Sequence, residues 1–131
     1  MRNPRLGLAW SRRRVQRREQ YGGYMDSVAW FRRRERWVRE FTAANDGQEP
    51  VCIVCGCKWT LRDGDLHHRT YARLGGEAWQ DLIPMCREHH DALHALMERN
   101  PAWRRLRREQ ATDLIVAYLR TKTRVRRGAD R

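Results

Sequence analysis

Apolar positions between residues 24 and 46 recur at helical spacing. Trp30, Trp37, Val38 and Phe41 form one stripe, and Arg32, Arg33, Arg34, Arg36 and Arg39 lie mostly off it. Asp26 or Ser27 supplies the oxygen that caps such a helix, and Asn45-Asp46-Gly47 ends it after Ala44. The stripe is expected to face a core. The pattern then changes. Residues 51–60 read as a short hairpin, with Val51, Ile53 and Val54 supplying β-propensity. Asp63-Gly64 signals a turn, residues 66–71 a strand, and Gly75-Gly76 an open loop. Residues 82–85 read as a second strand, which Pro84 restricts to an edge or a bulge. A helix is predicted over residues 87–99. Asn100-Pro101 stops it and starts the next, with Asn100 as cap and Pro101 in the first position. That last helix is expected to gather Trp103, Leu106, Leu114, Ala117 and Tyr118 near one face, and residues 121–131 read as a frayed basic tail. The fold class is α+β, a small two-stranded unit between flanking helices.

Charge divides the chain in three. Residues 1–50 hold 12 basic and 6 acidic side chains, residues 51–100 hold 6 and 7, and residues 101–131 hold 10 and 3. A near-neutral centre therefore lies between two basic arms, within a net charge of +12. Arms of this kind release counterions when they dock on phosphates, which gives salt-sensitive nucleic-acid affinity. Only Lys58 and Lys122 are lysines, and the preference for arginine suits bidentate phosphate contacts. The competing interpretation is a solvated arginine surface, or a tail for an acidic protein partner. The longest apolar run, residues 114–119, is far too short to span a membrane. No apolar segment follows the basic N-terminus, so a cytoplasmic protein without a secretory signal is expected.

With 40% hydrophobic residues in 131, the core is small and benefits from a metal staple. Cys52, Cys55 and Cys57 are too crowded for a disulfide framework and point to metal ligation. Cys52 and Cys55 have the spacing of a zinc knuckle, and Cys86 and His89 supply a second pair about 30 residues later. Cys86 falls at a helix start, where the helix dipole favours a thiolate. A tetrahedral Cys₃His site for structural Zn²⁺ results, pinning the hairpin to the helix. Cys57 is the spare, able to replace Cys55 but read as an ordinary small side chain.

All five histidines fall between positions 67 and 94. His67 and His68 are adjacent on a predicted strand, so they point to opposite sides or are splayed by a kink. His90 and His94 are four apart on a helix and share a face, while His89 lies off it beside Cys86. Phosphodiester cleavage needs a base for water, a cation for the developing charge, and a grip on the strand. His67 and His90 are assigned to one divalent ion, with His94 as a third or outer ligand. His68 is then left to act as base, with a pKa near neutrality by nature. The bland alternative is two structural zinc sites without catalysis.

Residues 66–71 (Leu-His-His-Arg-Thr-Tyr), 73–77 (Arg-Leu-Gly-Gly-Glu) and 81–90 (Asp-Leu-Ile-Pro-Met-Cys-Arg-Glu-His-His), then His94, resemble the HNH endonucleases. The similarity is greatest to a subgroup with a His-His-x-Thr-Tyr segment, many of them from bacteriophages and prophages. It covers residues 50–95. It implies a ββα-metal core over residues 50–99 with a zinc knuckle; outside it, the residue pattern gives a basic arm (1–23), an amphipathic helix (24–46), a C-terminal helix (100–120) and a basic tail (121–131). It implies His67 and His90 as ligands of a catalytic Mg²⁺ or Mn²⁺, His94 as a further ligand, and His68 as general base. Cys52, Cys55, Cys86 and His89 would hold the structural zinc. Two positions depart from the pattern. Asp81 stands where Asn is usual, so it accepts hydrogen bonds that brace the loop but donates none, or else polarises His68 or approaches the ion. His89 stands where Cys is common, an exchange zinc tolerates. Glu77 is a supporting candidate around the site. Arg69, Arg73 and Arg87 are the expected phosphate clamps. Double-stranded DNA is the expected partner. The resemblance also leaves open a non-catalytic DNA-binding module, or a companion of the phage DNA-packaging terminase in the host cytoplasm.

Overall fold

The computed structural model describes residues 21–129; the predicted basic arm lies mostly outside them, as do positions 130 and 131. The elements are α1 (Val28–Ala44), β1 (Gly64–His68), β2 (Leu82–Cys86), α2 (Arg87–Arg99) and α3 (Arg108–Ala129). The chain is thus α+β, with one small antiparallel sheet. Among the described residues no helix is long and apolar enough to cross a membrane.

Helix α1 begins where Ser27 keeps an extended backbone and its hydroxyl accepts from Trp30 N at 3.2 Å. It ends where Asp46 and Gly47 take positive φ, 54° and 80°, and Gly47 N donates to Thr42 O. Trp30 and Trp37 are buried, as the apolar stripe predicts. Arg33 is buried with them, because i, i+3 and i+7 share a face. Its guanidinium donates to the Glu77 carbonyl at 2.8 Å and to the Glu40 carboxylate at 2.9 Å. The loop between the strands is thereby tied to α1.

The two strands pair with Leu66 opposite Pro84, His67 opposite Ile83 and His68 opposite Leu82. Directly opposed residues share a sheet face. One face carries Ile83 and Met85 into a core with Cys52, Val54, Leu93, Ile115, Val116 and Leu119. The other carries Leu66 and Leu82 into a second core with Trp30, Trp37 and Trp59. Adjacent His67 and His68 therefore emerge on opposite sides of the sheet, toward α2–α3 and toward α1 respectively. Trp103 packs against the first core and Trp30 belongs to the second.

Residues 51–60 differ from the expected hairpin. A single bridge joins Val51 to Lys58, and a tight turn is closed by Gly56 N to Cys52 O and Cys52 N to Cys57 O, both 2.8 Å. Gly56 has φ 73°, which a side chain would oppose. Pro84 has no N–H, but its carbonyl accepts from Ile53 N and fixes this turn to β2.

Helix α2 occupies the predicted span. The region after it does not match. Pro101–Arg105 is a 3₁₀ turn, capped by Asn100 Oδ1 on Ala102 N, and α3 begins only at Arg108. This break shifts the phase of the following helix. Its buried side is Ala111, Thr112, Ile115, Val116 and Leu119, while Leu114 and Tyr118 are exposed. The expected face was counted through Trp103 and Leu106 as though one helix joined them. Residues 121–129 are helical, correcting the frayed tail.

Candidate metal centres

The turn at 52–57 and the N-terminus of α2 bring sulfur together. Cys52, Cys55, Cys57 and Cys86 each offer a thiol sulfur within 4.8 Å of the others. His89, one turn into α2, sets its Nδ1 3.2 Å from Cys86 Sγ and 3.9 Å from Cys52 Sγ. Five groups thus surround a place that needs four. Cys57, set aside in the sequence as an ordinary side chain, belongs to the group; three cysteines within six residues were the signal. Burial pushes the Cys86 thiol up to about 12, reinforced by the neighbouring Cys52 and Cys55. Burial also opposes a Cys55 thiolate, but hydrogen bonds from Cys57, Cys52 and His89 bring it down to about 7. Crowded thiols that resist ionising together are the electrostatic setting that a divalent cation relieves.

On the α2–α3 side of the sheet, His67, His90 and His94 each offer a ring nitrogen within 4.8 Å of the others. His67 comes from β1, and the other two lie one turn apart on α2. His90 Nδ1 lies 3.0 Å from Asp65 Oδ2, so the carboxylate accepts the Nδ1 proton and Nε2 keeps its lone pair. That Nε2 stands 2.9 Å from His94 Nε2. His67 Nε2 meets the Thr112 hydroxyl of α3 at 3.0 Å, and its Nδ1 is buried with no hydrogen-bond partner. Burial first, then the neighbouring Arg108, His90 and His94, pull the His67 pKa down to about 2. Burial, then His90, lowers His94 as well. A neutral imidazole with an unshared, buried nitrogen is the form that ligates a metal. The donor set therefore fits a divalent ion, and both clusters are able to hold one.

His68 lies on the other face. Its Nε2 is 2.8 Å from Glu77 Oε2, so the proton resides on Nε2 and Nδ1 is the free basic nitrogen, also buried and unpartnered. The ring stacks on Trp30 at 5.0 Å, with Tyr21 and Tyr71 against its other sides. Its side chain has 0% exposure, as does that of Glu77. Glu77 also accepts from the Tyr24 hydroxyl at 2.9 Å. Burial raises the Glu77 carboxyl, but hydrogen bonds from His68, its own backbone and Tyr24 outweigh it and hold the group ionised.

Asp81 is occupied with the loop. Its carboxylate accepts from Arg73 and from Ala78 N, and its carbonyl accepts from Arg69 N at 2.7 Å. The Arg73 hydrogen bond, more than burial opposes, depresses its pKa. The carboxylate that meets His68 is that of Glu77. The three expected phosphate clamps are each in an ion pair: Arg69 with Asp113, Arg73 with Asp81, and Arg87 with Asp65 at 3.5 Å. Asp65, Thr112 and Tyr24 were missed in the sequence. Asp65 was within reach, since it lies two residues before His67 on a strand and so shares its face. No family model, curated protein or solved structure matches the chain.

Proposed function

We propose that the protein is a metal-dependent DNA endonuclease of the HNH kind, hydrolysing phosphodiester bonds at His67, His90 and His94. The observation that carries this is the convergence of three imidazoles, one oriented by Asp65, beside a strand position whose neighbour His68 is held by Glu77. The order β1, β2, α2 around these rings is the one a ββα-metal core requires. A divalent ion bound by the three imidazoles would offset charge on the phosphate and on the departing oxygen. His68, on the opposite face of the sheet from the three imidazoles, is the group assigned to take the proton of the attacking water at its Nδ1, and Glu77 would stabilise the imidazolium. Tyr21 and Tyr71 must shift for water to reach that nitrogen. Asp81 and Arg33 keep the loop carrying Glu77 in register. The sulfur cluster holds structural zinc and fastens the knuckle to α2.

A second reading, a metal-bound DNA-binding module without catalysis, is favoured by the complete burial of His68. Supercoiled plasmid separates the two. Nicking is expected with Mg²⁺ or Mn²⁺, suppressed by chelator and lowered by about 10²–10⁴-fold in His68→Ala at unchanged zinc content. Cleavage retained by His68→Ala refutes the assigned base, and no cleavage by the wild type with any divalent ion favours the binding module.

A further inference from the structure

A groove of about 420 Å³ runs between the knuckle and the last turns of α3. Arg120, Arg124 and Arg127 line it, at i, i+4 and i+7 and hence on one helix face. No carboxylate lines it, and none of the three guanidinium groups is in an ion pair among the described residues. This contrasts with Arg69, Arg73 and Arg87, each neutralised by an aspartate. Arg120 Nε donates to Ile53 O at 2.7 Å and Arg127 Nη2 to Cys55 O at 2.8 Å. Those carbonyls fix the side chains without cancelling their charge, and each guanidinium keeps further donors for an anion.

We infer that this groove is the phosphate-docking site of the protein and that its occupant is the backbone of duplex DNA. The inference rests on the nuclease reading for its choice of substrate. Along the helix, Arg120 to Arg127 covers about 10 Å, roughly the axial length of three nucleotides of one strand. Thr112, which touches His67, lies on the same helix about 18 Å before Arg124. At about 3.4 Å per nucleotide, α3 spans roughly five base pairs between the imidazole cluster and the groove.

The test is fluorescence anisotropy of the zinc-loaded full chain with a labelled duplex, across a salt series without added divalent ion. Binding is then read independently of cleavage. The triple variant Arg120→Gln, Arg124→Gln, Arg127→Gln should flatten the slope of log K against log salt by about 0.9 per lost phosphate contact. Arg124→Gln alone makes no carbonyl bond to lose, so it probes charge without loosening the helix; it should flatten the slope by about one. A charge-matched control, Arg32→Gln, Arg39→Gln, Arg62→Gln, should change the slope less than the triple variant. Equal slopes for triple variant and control, or an unchanged slope for Arg124→Gln, overturn the proposal. Wild-type hydrolysis of bis(p-nitrophenyl) phosphate with Mn²⁺ tests the metal centre alone. Its failure would remove the nuclease reading while leaving the groove assignment to stand on the binding data.

Discussion

The sulfur cluster and the imidazole cluster both draw on α2, yet they are built on opposite principles. Around the sulfurs, the chain supplies five candidate ligands for four places, and Cys52 is itself part of a hydrophobic core. Around the imidazoles it supplies three, from one strand and one helix face. A divalent ion surrounded by four protein ligands has nothing left to offer a substrate; one held by three keeps open positions. The supporting groups differ too. The thiols are supported by one another and by backbone, whereas His90 and His67 each have a side chain, Asp65 or Thr112, that fixes which nitrogen faces inward. On the proposed reading, the first holds the fold and the second carries the chemistry.

The largest expected effect comes from removing the metal of the sulfur cluster. Structural zinc contributes about 10–16 kcal/mol in small zinc-finger peptides, more than the whole stability of many domains. A strong chelator, or Cys52→Ser, should therefore abolish the cooperative thermal transition followed by circular dichroism. A fold that survives full zinc removal breaks the division of roles. Next, His68→Ala should lower plasmid nicking by about 10²–10⁴-fold at unchanged zinc content; the melting temperature falls as well, because the variant leaves Glu77 buried without its partner, so nicking is compared at a temperature where the variant is folded. Asp65→Ala should weaken metal affinity at the imidazole cluster by about 10–100-fold, the usual cost of losing a carboxylate behind a metal-bound histidine. Isothermal titration with Mn²⁺ reads this, and unchanged affinity removes Asp65 from the site. The smallest effect sharpens the ligand count. Cys57→Ser and His89→Ala should each weaken zinc binding far less than Cys52→Ser, with the double variant comparable to it, because either group completes the tetrahedron. A single variant as damaging as Cys52→Ser would identify the true fourth ligand.

Much of this organisation was legible in residue order. The helical stripe with Ser27 before it, the two x₂ ligand pairs, and the i, i+4 spacing of His90 and His94 are local signals, and local physics decides them. The boundaries of α2 and the Asn100 cap follow for the same reason. The Glu77–His68 pair was only partly readable, since it joins a loop to a strand. Arg33 was misread because the stripe was drawn from apolar residues alone. A buried guanidinium is stable there only through the Glu77 carbonyl and the Glu40 carboxylate, and the first of these is a tertiary contact. The face of α3 was lost at the 3₁₀ turn, where a shift of a few residues rotates every later side chain. The pairing of Arg69, Arg73 and Arg87 with aspartates was invisible, because Asp113 and Asp65 reach them only through the fold. Arg120, Arg124 and Arg127, read as part of a basic tail, acquire a defined groove once that segment is helical.

Cobalt titration of the protein with zinc already in the sulfur cluster tests the separation most directly. A further equivalent of Co²⁺ should bind with the weak visible absorption of nitrogen and oxygen ligands, without thiolate charge-transfer bands, and His90→Ala should abolish it. Absence of that second binding event in the wild type, or its persistence in His90→Ala, would contradict an open cation site among His67, His90 and His94.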